Sequence, residues 1–139
     1  MQAIVIVALV LHVVSGVFWA GSTFALARMG GNQAREFLKP QLGAAATAIV
    51  TGALLWYLLH RGSEGTPEHV LATGAIFAFL AAGVQAVTGL TGRQVVNQAL
   101  AGVGELDATP GQNRALIGQR VAAGCLLVTV ICMAAARYV

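Results

Sequence analysis

This chain is expected to form an all-α integral membrane protein, an antiparallel bundle of four transmembrane helices. Four long apolar stretches, roughly residues 2–27, 41–60, 69–92 and 115–136, fill most of the 139 residues. Each is about as long as the ~20 apolar residues a helix needs to cross a bilayer. With 58% hydrophobic residues, 9% charged and a mean hydropathy of +0.78, the chain has too few charges to coat a water-soluble globule. All five acidic residues fall in the connections between stretches. Lipid is the expected solvent for the surface, and one compact bundle with no separate soluble domain accounts for the whole length.

The first stretch has no basic segment before it and is longer than a signal-peptide core. It runs into Arg28-Met29-Gly30-Gly31 instead of a small-residue cleavage site, so it is expected to stay in the protein. Gly30 to Lys39 reads as a short polar connection, with Pro40 in the first turn of the second helix, where a missing N–H is harmless. The second span is expected to stop at His60-Arg61-Gly62. Thr66 then caps the third helix, Pro67 takes its first position, and Glu68 lies favourably at the positive end of the helix dipole. No breaker follows Arg93, and Val95, Val96, Ala99, Leu100 and Val103 recur at helical spacing, so a cytoplasmic helical extension is expected over about 93–114. Thr109-Pro110 repeats the cap signal at the start of the fourth helix.

The net charge of +3 and pI near 9.4 come from basic residues standing singly near helix ends. That pattern excludes a nucleic-acid footprint and reads as a topology signal. Connections one and three carry Arg28, Arg35, Lys39, Arg93, Arg114 and Arg120, against Arg61 and Arg137 on the other side. The positive-inside rule therefore puts both termini outside the cytoplasm, in the inner membrane if the source is bacterial. Cys125 and Cys132 are seven residues apart on one helix, about 10 Å along its axis, too far to bridge each other.

Helices in lipid associate through small residues and polar groups, and each span offers a stripe of them. The stripes are His12, Ser15, Gly16, Trp19, Ser22 and Thr23; Gly43, Ala44, Thr47, Ala48 and Thr51; Gly74, Ala78, Ala82, Gln85, Thr88 and Gly89; and Gly118, Ala122, Cys125, Thr129, Cys132 and Ala136. Gln85 is expected to bond Thr or backbone across the bundle.

His12 stands sixteen residues before Arg28, about 24 Å along the helix, and an ionisable side chain at such depth is a functional hypothesis by default. At a matching level on the other helices lie Trp56, Phe77, Cys132 and Met133, with His60 further out. Haem iron could take His12 with Met133 or His60, and copper the softer set His12, Cys132 and Met133. Its alternative is a neutral imidazole bonded to Ser, Thr or a carbonyl. His60 and His69 beside Glu64 and Glu68 make a weaker divalent-cation candidate. The sequence shows no nucleophile elbow, phosphate loop, H-E-x-x-H or intramembrane carboxylate pair, which argues against hydrolytic chemistry and proton-coupled transport.

His12, Gly16, Trp19 and Gly21 form the pattern H-x-x-x-G-x-x-W-x-G, and the chain closes on Met133-Ala134-Ala135-Ala136-Arg137-Tyr138. Over this span and tail the chain resembles small membrane proteins related to the copper-resistance D-type family and, more distantly, bacterial membrane protoporphyrinogen oxidases. The resemblance implies a helical bundle holding haem b or handling copper, with His12, Gly16, Trp19 and Gly21 carried over. The chain departs from it in lacking a second histidine deep in a later span. The leading expectation is a non-catalytic accessory or scaffold subunit bound to other membrane proteins or to copies of itself. The alternative is a haem-b or copper-binding redox protein with His12 as ligand and Trp19 and Trp56 as pocket walls.

Overall fold

The computed structural model describes residues 2–29, 31–59, 65–101 and 109–138, with side chains described over 2–29, 37–59, 65–89 and 114–138. Its elements are α1 (Gln2–Met29), α2 (Gly31–Leu59), α3 (Thr66–Ala101) and α4 (Thr109–Ala135). All four contain segments long and apolar enough to cross a membrane: Gln2–Met29, Phe37–Leu59, Thr66–Gly89 and Arg114–Ala135. These segments match the apolar stretches of the sequence to within a few residues.

One boundary differs. Residues 31–39, expected as a polar connection, belong to α2, which carries Pro40 in its interior. Apart from Gly31, Asn32 and Phe37, this segment is made of strong helix formers, Gln33, Ala34, Arg35, Glu36, Leu38 and Lys39, and polarity does not oppose helix formation. Pro40 leaves one i→i−4 bond unmade. The third helix starts at Thr66, one residue before the expected first position at Pro67, with the His69 amide donating to the Gly65 carbonyl at 3.3 Å. It continues past Arg93 to Ala101, and α4 starts at Thr109. The expected stop at Gly62 lies outside the described residues.

The most extensive contacts pair α1 with α2 and α3 with α4; α1 also meets α4, and α2 meets both α3 and α4. The core is built mainly of alanine. Ala45, Ala48, Ala78, Ala81 and Ala122 surround Trp19 and Leu126, with Ala20, Ala44, Ala82 and Cys125 packed against them. Such small side chains let backbones approach closely. Gly118 shows how closely, because an added Cβ would stand 2.9 Å from the Cβ of Thr88 on α3.

The expected inner stripes of α3 and α4 are buried or half-buried throughout. On α2 the expected Ala48 and Thr51 are buried and Ala44 half-buried, but the buried face also runs through Gln41, Ala45 and Leu55, and Gly43 and Thr47 face outward. Thr47 settles its hydroxyl on its own helix, donating to the Gly43 carbonyl at 2.9 Å. The outer surface is strongly apolar: Val14, Val17, Val50, Phe79 and Val87 each expose 60% or more of their area.

Candidate functional site

Among the described residues, two polar features inside this apolar bundle bear on function. The larger is a connected set of amides and hydroxyls drawn from all four helices, and its direction follows from one donor. The Trp19 indole N–H on α1 can only donate, and it does so to Gln85 Oε1 on α3 at 2.7 Å. That turns the Gln85 amide nitrogen toward Thr23 Oγ1 at 2.9 Å and Gln119 Oε1 on α4 at 3.1 Å. Gln119 Nε2 in turn donates to Gln41 Oε1 on α2 at 3.1 Å. Gln41 Nε2 closes the ring on Ser22 Oγ and Thr23 Oγ1, both at 3.3 Å. Thr23 accepts from both amides and donates to the Trp19 carbonyl at 2.7 Å.

Thr23 and Gln41 are 0% exposed and Gln85 is 1% exposed. Buried amides are costly unless paired, and these are paired with each other, so the ring orders the bundle and fixes the register of its helices. None of its side chains titrates near neutral pH, so it offers no acid or base. The expectation for Gln85 holds in its bond to Thr23. Gln41 and Gln119 were not anticipated, since Gln41 follows Pro40 and Gln119 precedes Arg120, positions that read as span ends. The available signal was that Gln41, Gln85 and Gln119 each lie within eight residues of a basic residue at the end of the bundle that holds Lys39, Arg93 and Arg114.

The second feature is His12, half-buried on α1. Its Nδ1 lies 2.8 Å from the Ala48 carbonyl of α2. A carbonyl oxygen only accepts, so Nδ1 carries the hydrogen, and in the neutral ring Nε2 would carry the lone pair. Among the described residues no hydrogen bond engages Nε2. Thr51 Oγ1 lies 3.4 Å from Nδ1 and directs its own hydrogen to the Thr47 carbonyl at 2.6 Å. The ring rests on Gly52, where an added Cβ would come within 2.9 Å of His12 Cε1. Gly52 therefore makes room for the imidazole while Ala48 orients it. One nitrogen tied to a carbonyl and the other left open is also how metal-binding imidazoles are held.

The remaining candidates are distributed around the bundle. Trp19, two turns below His12, commits its indole N–H to Gln85. Cys132 is a free, half-buried thiol whose Cβ packs on Gly74 of α3, so it lies on the α3/α4 seam while His12 lies on α1/α2. Met133 is 37% exposed on α4, Trp56 is exposed on α2, and Phe77 is half-buried on α3. His60 and Glu64 lie outside the described residues, and His69 is exposed near the start of α3. Among the described residues no group of three or more His, Cys, Asp or Glu side chains could hold a metal ion. The fold and site thus define an all-helical bundle with a closed amide ring and one oriented histidine. Comparison with models of protein families, with curated proteins and with solved structures finds no match.

Proposed function

We propose that this chain crosses a membrane four times, with successive helices antiparallel and both termini outside the cytoplasm, and serves as a non-catalytic component of a membrane assembly. The helix pairings support the antiparallel course. His12 meets Ala48 and Gly52 while Thr23 meets Gln41, and Gly74 meets Thr129 while Gln85 meets Gln119. The distribution of the basic residues supports the orientation.

One observation carries the functional reading: the interior polar groups are largely spent on each other, whereas the open small-residue surface lies outside. Added Cβ atoms at Gly16, Gly21 and Gly43 would meet nothing within 4 Å. Glycines of that kind let another helix approach closely. The test is the size of the detergent-extracted protein. The wild type is expected to run as a complex with itself or with other membrane proteins, and Gly16→Leu with Gly43→Leu to release a folded monomer. A wild-type monomer at every concentration would count against the reading.

A second reading is favoured by the open Nε2 of His12. On it, the protein binds haem b or copper, with His12 as one ligand and Met133, Cys132 or His60 as candidates for the others. The described residues fit this to the extent of one oriented nitrogen. Purified protein would then show a Soret band or bound copper that His12→Ala abolishes. A colourless, metal-free preparation that takes up neither on reconstitution would eliminate it.

A further inference from the structure

An open groove of about 620 Å³ runs between α1 and α4, lined by Phe24, Ala27, Arg28, Arg120, Ala123 and Gly124. It combines two chemistries that rarely adjoin on an apolar surface. Arg120 lies six residues inside the Arg114–Ala135 segment, about 9 Å along the axis, where a guanidinium must reach for the interface or find an anion. Its neighbour Gln119 turns inward to the amide ring, while Arg120 is exposed. Arg28, in the last turn of α1, supplies a second exposed guanidinium to the same groove. Among the described residues no acidic side chain lines it. Phe24, Ala27 and Ala123 continue the groove as an apolar wall, and Gly124 keeps it open, since an added Cβ there would meet nothing within 4 Å.

We propose that this groove binds an anionic phospholipid, the headgroup phosphate held by Arg28 and Arg120 and one acyl chain laid over Ala123 and Gly124. The proposal rests on the membrane-spanning reading. Guanidinium groups match phosphate oxygens through paired N–H donors, and basic pockets between helices at the cytoplasmic side suit such headgroups. A free anion would use the arginines and leave the apolar wall idle, whereas a neutral lipid would use the wall and leave the arginines unpaired.

Retention of lipid by the purified protein, measured by native mass spectrometry from maltoside micelles, tests this. Phosphatidylglycerol is expected to be retained at least tenfold better than phosphatidylcholine with the same chains. Arg28→Gln with Arg120→Gln should reduce it to the phosphatidylcholine level. Gly124→Leu, which fills the groove and keeps both arginines, should also weaken it, with unchanged helix content by circular dichroism showing that each variant is folded. Equal retention of the two lipids, full retention by the double variant, or displacement by millimolar inorganic phosphate would overturn the proposal. Those outcomes leave the membrane reading standing if the chain still requires detergent. Recovery of the chain from the aqueous fraction without detergent would defeat both.

Discussion

Trp19 has one hydrogen to give, and the polarity of three buried amides depends on it. In Trp19→Phe the Gln85 oxygen loses its donor at 2.7 Å and stays buried, a situation that costs about 1–3 kcal/mol in water-soluble proteins and less in membranes. Thermal unfolding in detergent should show Trp19→Phe destabilised by about 1 kcal/mol or more. If its stability matches wild type, the amide ring does not order the bundle. At this scale legibility depended on contrast. His12 and Gln85 stand out because they interrupt apolar sequence, and both make cross-helix bonds in the structure. Gln41 and Gln119 sit beside residues that already mark a span end, so their burial was hidden. Gly52 was hidden for another reason: one glycine among 17 does not announce that an imidazole lies on it.

The helices differ in how much a single methyl group matters. Gly118→Ala would drive its Cβ to 2.9 Å from the Thr88 Cβ, an atom close to the backbone that cannot swing aside, and strain of about 1–3 kcal/mol is expected. Gly83→Ala meets open space on α3 and should be neutral or more stable by up to about 1 kcal/mol, because alanine favours the helix. Unfolding midpoints of the two variants should move in opposite directions or differ clearly, and equal midpoints would mean that α3 and α4 are not in close contact there. The long apolar helices themselves were readable because apolar length depends little on tertiary detail. The start of α2 was not, since Gly30, Gly31 and Pro40 suggest a linker while the residues between them favour helix. Its buried face was read correctly at Ala48 and Thr51 and missed at Gln41 and Ala45, because Gly43 and Thr47 suit close packing no less than they do.

For the molecule as a whole, α3 has 36 residues and is about 54 Å long, well beyond the ~30 Å of a hydrocarbon core. On the proposed four-span reading, its Arg93-bearing end should project from the membrane on the side opposite both termini. Reporter fusions at residues 1 and 139 should both register outside the cytoplasm, and an accessible tag placed near residue 105 should register inside; ends on different faces would refute the four-span reading. The amide ring adds a consequence for biogenesis. Three of its bonds, Trp19 to Gln85, Gln85 to Thr23 and Gln119 to Gln41, join the first half of the chain to the second. While the ribosome has delivered only α1 and α2, Trp19 and Gln41 have no partners from α3 or α4, and the nascent half should be a poor resident of lipid and a target for proteolytic surveillance. Expressed as two fragments divided between α2 and α3, each half should be short-lived alone and protected when both are made together, the arrival of the second half completing what the first cannot satisfy.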